Sequence, residues 1–252
     1  MKAVRVAGVG LWSPGFADVK AWREGRADPE VIKPPCALVG ARLRRGSSRF
    51  ANMLGEVVEQ AAAAASIDVT TVPTFYGSSL GEIETMVTLL RMLYEEEGKL
   101  SPNRFKNSVH NAASGLVSIG TQNTGFSTAI AGGARSFETT LLEAWAYLED
   151  EGGARVLAVA DDKPPEPLDT LDDHGALALA FALAADGAGP TLSNLRRVET
   201  VERFADVPDA LRGNCASPGL ELVAAVLDGR TGPVALSPVD GPQMVADLVV
   251  GA

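Results

Sequence analysis

Two stretches, ARVLAVAD (154–161) and GALALAFALA (175–184), decide what this chain can fold into. Each is apolar at odd and even positions alike, so as a strand it shows hydrophobic side chains on both faces. Such a strand is stable only inside a sheet that is covered on both sides. Helical patterns supply the covers. In SSRFANMLGEVVEQAAAAASI, residues Phe50, Met53, Leu54, Val57, Val58 and Ala61 recur at helical spacing, and Ser47 or Ser48 can cap the start. In LGEIETMVTLLRMLYEEEG, residues Leu80, Ile83, Val87, Leu90 and Tyr94 share one face, and Gly98 is expected to stop the helix. Phe137, Leu141, Ala144, Trp145 and Leu148 form a third stripe. Strands alternating with helices predict an α/β layer fold with a largely parallel or mixed sheet.

The remaining segments fill in the plan. AVRVAGVGLWSPG opens with a short strand and a turn, and VPTFYGSS is a short strand ending in small residues. The small residues Ala112, Ala113, Ser114, Gly115 and Ser118 predict a deeply packed helix, with His110 buried and hydrogen-bonded at its start. SNLRRVETVE reads as an edge strand, PGLELVAAVLDG as a short helix, and GPVALSPVDGPQMVADLVV as a hairpin turning near Asp240 and Gly241.

Composition narrows function. A net charge of −10 argues against nucleic acid as a partner. The one basic cluster, ARLRRGSSR (Arg42, Arg44, Arg45, Arg49), reads as a solvated edge before a helix. Two cysteines, Cys36 and Cys215, and two histidines are too few for a disulfide framework or a cysteine zinc site, so neither metal nor cofactor is expected. No apolar run is long enough to span a bilayer, and the start lacks a signal-peptide pattern, so a soluble cytoplasmic protein is expected. The pair Gly8 and Gly10 in GVGLWSPG lacks the third glycine of a dinucleotide fingerprint and reads as a tight turn.

The chemical question sits at STAIAGGARSF (127–137). A strand, Ser127–Ala131, runs into Gly132, Gly133, Ala134 and Arg135 and then into a helix. Enzymes place nucleophiles at such elbows, where the helix N-terminus stabilises a thiolate or an oxyanion. Here no reactive atom stands at the turn. A stand-alone acyl-binding hydrolase or transferase would have to use Ser136, or Cys215 in GNCASPGLEL, with His110 or His174 as base; His174 follows Asp172 and Asp173.

Taken in order, VRVAGVGLWSPGFADVKAW, TFYGSSLGEIE and SPNRFKNSVHNAASGLVSIGTQNTGFSTAIAGG resemble the N-terminal half of a β-ketoacyl-acyl-carrier-protein synthase, of the thiolase-like superfamily. The resemblance covers roughly residues 1–185. It implies a thiolase-like half with a central mixed sheet flanked by helices over 1–189, and a strand, helix and hairpin over 190–252 packed on the same domain. In this register the family's catalytic cysteine falls at Ala134, or at Gly133 if the turn slides, and the family's remaining catalytic groups belong to a second half this chain does not hold. The cysteine-less, half-length pattern is similar to the chain-length-factor-like components of aryl-polyene or xanthomonadin-type pathways. That similarity implies a non-catalytic subunit paired with a full-length synthase, with acyl carrier protein, itself acidic, docking on the synthase. It also implies interface or acyl-tunnel roles for Phe105, Asn107, Val109, His110 and Asn111, and a tunnel-lining role for Ile83 and Met86.

Overall fold

A computed structural model describes residues 1–95, 100–169 and 172–251. Among these residues, eight strands form one sheet: β1 (Val4–Trp12), β2 (Thr74–Gly77), β3 (Ser127–Ile130), β4 (Ala154–Asp161), β5 (Leu177–Ala184), β6 (Thr191–Val198), β7 (Gly232–Ala235) and β8 (Gln243–Val249). Their order is β3-β2-β4-β5-β1-β6-β8-β7. β2 runs parallel to β3 and β4, and every other neighbouring pair is antiparallel. The helices are α1 (Val19–Arg23), α2 (Ala41–Arg44), α3 (Arg49–Ala64), α4 (Ile83–Glu95), α5 (Pro102–Lys106), α6 (Ala112–Thr121), α7 (Ser136–Glu151) and α8 (Gly219–Leu227). The sheet is mixed and carries helices on both faces, as the doubly apolar strands require.

Alternation along β5 sorts the two cores. Leu177, Leu179, Phe181 and Leu183 join α7 (Phe137, Leu141, Trp145) and α8 (Leu220, Val223) in one cluster. Ala178, Ala180 and Ala182 turn to the other face, against Met53, Leu54 and Val57 of α3. Each large side chain so buried contributes about 1.5–3 kcal/mol. The alanine face lets α3 approach closely. A Cβ on Gly8 would lie 2.2 Å from the Ala61 carbonyl oxygen, and one on Gly10 would lie 2.3 Å from that of Val57. Those glycines lie inside β1, not at the tight turn expected from the sequence, and seat a helix on it. The hydroxyl of Ser48 caps α3 by accepting from the Ala51 N–H at 3.0 Å.

Further expectations need correction. β6 is not an edge strand: it lies between β1 and β8, because the later hairpin supplies it with a second neighbour. The apolar residues of α4 do not share one buried face. Val87 and Leu89 point inward, whereas Met86, Leu90, Leu93 and Tyr94, spaced i, i+4, i+7 and i+8, are exposed, Tyr94 by 82%. α6 is packed on one side only. Ala113, Ser114 and Val117 are buried against α3, but Ile119 is 70% exposed and Gly115 faces open space. His110 is exposed, not buried, because it sits on the turn before α6. Gly98, the expected stop of α4, lies outside the described residues. Among the described residues no helix is long and apolar enough to cross a membrane.

Candidate functional site at the strand-to-helix elbow

Because β2, β3 and β4 are parallel, their C-terminal ends meet along one side of the sheet, the side where such sheets bind ligands. The elbow after β3 lies there. Gly133 takes a φ of +57°, a left-handed turn that glycine makes without penalty. A short 3-10 turn over Gly133–Arg135 then feeds α7. The Ser136 hydroxyl closes the turn on itself: it accepts from the Gly132 N–H at 3.1 Å and donates to the Gly133 carbonyl at 2.8 Å.

The methyl of Ala134 opens into a cavity of about 550 Å³, lined also by Asp173, Arg203, Arg212, Asn214 and Glu221. Glu221 is 1% exposed. Its Oε2 accepts long hydrogen bonds from the Phe204 and Ala205 N–H groups (3.3 and 3.4 Å), and its Oε1 has no partner. Burial pushes its carboxyl pKa up, against those hydrogen bonds. Arg135 ties the elbow to the C-terminal hairpin. It pairs with Glu138 and donates to the carbonyls of Asp240 (3.1 Å) and Pro242 (3.3 Å). Arg197 on β6 reaches the same Glu138 at 3.0 Å.

Behind the elbow lies a buried polar network centred on Asp161, the last residue of β4. Its Oδ1 accepts from the Ser78 hydroxyl (2.5 Å) and from the N–H groups of Ser79 (2.9 Å) and Leu80 (3.0 Å). Its Oδ2 lies 3.4 Å from His174 Nε2, close enough for attraction but outside a well-formed hydrogen bond. Burial pushes the Asp161 carboxyl up, but His174, the Leu80 N–H and the Ser78 hydroxyl outweigh it, so the net position is below the ordinary carboxylate value. Asn214 ties the tail into this network, donating to the carbonyls of Asp161 (2.9 Å) and Gly175 (2.8 Å).

This arrangement contains no activated nucleophile among the described residues. Cys215 is 1% exposed, and burial, with the Asp161 carboxylate beside it, raises its thiol pKa well above the ordinary value. It does not line the Ala134 cavity. Ser136 is fully buried with its hydroxyl committed to the turn. His174 faces Asp161, and His110 is on the surface beside Gly81. Nor do three His, Cys, Asp or Glu side chains converge as a metal site among the described residues.

The residues singled out for interface or tunnel roles lie elsewhere. Phe105, Val109, His110 and Asn111 are exposed along α5 and the turn into α6. Asn107 is half-buried and donates to the Gly46 carbonyl at 3.2 Å. Ile83 is half-buried and Met86 exposed on α4, which packs against α5. None of these seven lines the cavity at Ala134.

The sequence matches the family described as β-ketoacyl synthase, N-terminal domain, over residues 19–233. The chain belongs to that family. No curated protein matches the sequence. Solved structures show the same fold at low identity. One is a complex of the ketosynthase ApeO with its chain length factor ApeC from Xenorhabdus doucetiae, with a TM-score of 0.71 and 18% identity over 98% of this chain and 100% of that one. Another is a type II polyketide synthase assembly, AntDE:AntF, with a TM-score of 0.75 and 13% identity over 99% of each chain. A third is the ishigamide ketosynthase/chain length factor, with a TM-score of 0.69 and 12% identity over all of both chains. This β-ketoacyl synthase relative therefore keeps the fold across its whole length, tail included. Sequence reading missed the Asp161 network and the Arg135 clamp. The two charged pairs Asp161-Asp162 and Asp172-Asp173, flanking a Pro-rich loop after a fully apolar strand, were the available signal for the former.

Proposed function

We propose that the chain is a non-catalytic, chain-length-factor-like subunit that pairs with a full-length β-ketoacyl-acyl-carrier-protein synthase and shapes its acyl tunnel, in fatty-acid or aryl-polyene-type biosynthesis. Ala134 carries this reading. A methyl group stands where the family resemblance sets the nucleophilic cysteine, and a methyl cannot form a thioester. The elbow is nevertheless intact as architecture, with its turn, its cavity and its clamp to the hairpin.

The surface supports a protein partner. Among the described residues β3 is paired on one side only, by β2, and leaves its other edge open. Phe126 precedes that edge and α6 packs against it, with Ile119 exposed; Val109, Phe105 and the α4 stripe of Met86, Leu90 and Tyr94 are exposed on the neighbouring helices. An open strand edge beside exposed apolar side chains is a surface that a partner covers. Acyl carrier protein then docks on the synthase, since this chain carries −10.

The test is co-expression with a synthase encoded nearby. The wild-type chain co-purifies with it, and Leu90→Glu/Tyr94→Glu loses the partner while keeping the thermal midpoint of the lone chain. A wild-type chain that stays alone beside the synthase contradicts the pairing.

A further inference from the structure

The basic cluster around Arg45 does not lie on a flat solvated edge. It lines a cavity of about 710 Å³ between α2, the start of α3, α4 and α5. Lys33, Arg44, Arg45, Arg49 and Arg104 all face this cavity, and among the described residues Glu84 is the one carboxylate lining it. Such a concentration of positive charge is unusual in a chain whose net charge is −10.

The charges are not equally committed. Arg49 forms a two-pronged pair with the buried carboxylate of Asp162, so its charge is neutralised. Arg44 is fixed by the carbonyls of Pro35 (2.9 Å) and Cys36 (3.0 Å), which orient the guanidinium without cancelling it. Lys33, Arg45 and Arg104 make no ion pair among the described residues. Glu82 is buried behind the wall, where its carboxylate accepts from the Ser48 and Thr85 hydroxyls. Among the described residues, four cations therefore face one lining carboxylate. Asn52, Ser47 and Asn107 add neutral hydrogen-bonding groups to the same wall. Arg42 and Lys106 line an adjoining cavity across Gly46 and Asn107, extending the positive field.

We infer that this cavity binds a small organic anion carrying a diphosphate or similarly charged phosphate ester. Planar guanidinium groups match phosphate oxygens in two-pronged contacts, and a concave wall focuses the field of several cations on one anion. The volume falls in the range of small-molecule sites and leaves room for an organic part beside the phosphate groups. The inference uses neither the β3 edge nor Ala134, but its α4 and α5 wall, Asn107 included, adjoins the surface proposed for the synthase, so binding is measured with and without that partner.

Calorimetric titration of the purified chain, alone and with any co-purifying synthase, tests it. The titrants are inorganic pyrophosphate and ADP, with sulfate at matched ionic strength as the control. Both phosphates bind more tightly than sulfate, and ADP binds more tightly than pyrophosphate; pyrophosphate binding as tightly as ADP overturns the assignment of an organic ester. The exposed double variant Lys33→Ala/Arg45→Ala weakens binding about tenfold or more, since each lost charge-assisted contact is a strong one. Its thermal midpoint stays that of the wild type. Neither phosphate binding better than sulfate, or a well-folded double variant binding both phosphates as the wild type does, overturns the inference.

Discussion

Asp161 joins the pieces that hold the elbow's surroundings in place, so its removal is the sharpest perturbation available. In Asp161→Ala, the Ser78 hydroxyl and the N–H groups of Ser79 and Leu80 lose their shared acceptor, and His174 loses its nearest charge. Asp161 itself is fully buried, so water does not readily replace it. An orphaned buried polar group costs about 1–3 kcal/mol, so three donors at the low end give a loss of about 3 kcal/mol. For a chain of this size that lowers the thermal midpoint by about 6–12 °C. The pH dependence has a definite sign. The folded carboxyl sits below its ordinary value, so its contribution is present above the unfolded pKa of 3.8 and is lost as pH falls through the folded one. Urea unfolding at about pH 7 and about pH 3 measures both effects. Asp161→Ala should be the less stable protein at neutral pH and should show a shallower loss on acidification. A variant within about 1 kcal/mol of wild type at neutral pH would refute the claim that this network holds the site together.

Other expectations follow from separate features. Gly10→Ala would bring a methyl 2.3 Å from the Val57 carbonyl oxygen, so α3 must move, at a cost of about 1–3 kcal/mol by denaturant unfolding. Burial raises the thiol pKa of Cys36 from 9.0 to about 12. The unfolded chain therefore loses that proton first, the contribution is complete below about pH 9, and stability falls by about 1.4 kcal/mol between about pH 8 and pH 10. Tyr76, raised from 10.0 to about 12, steepens the decline above about pH 10, and Cys36→Ala should remove the earlier part of it. Ala134→Cys in the isolated chain should yield no condensation product, because no histidine lines the cavity at that position.

Local pattern carried the fold further than the site. The doubly apolar runs at 154–161 and 175–184 are adjacent inner strands, and the stripe Phe137, Leu141, Trp145 is buried as its spacing predicts. β6 misled because its polar residues suggest an edge, whereas its second neighbour comes from a hairpin some fifty residues later. On α4 the apolar residues span more than one face, and spacing alone does not say which face finds a cover within the chain. The vacancy at Ala134 was legible from the strand–glycine–helix pattern. The Asp161 network was not, because Ser78, Asp161, His174 and Asn214 meet only after the parallel strands and the tail are assembled. The Arg44–Arg45 cluster was visible as charge, but its concavity depends on Lys33, Arg104 and α4, which come from other parts of the chain.

If the chain is the non-catalytic partner proposed, it carries no acyl group of its own. Intact-mass measurement of the co-purified pair after exposure to an acyl thioester donor tests it most directly. The account predicts an acyl increment on the synthase and an unchanged mass for this chain. An acyl increment on this chain that disappears on turnover would contradict it.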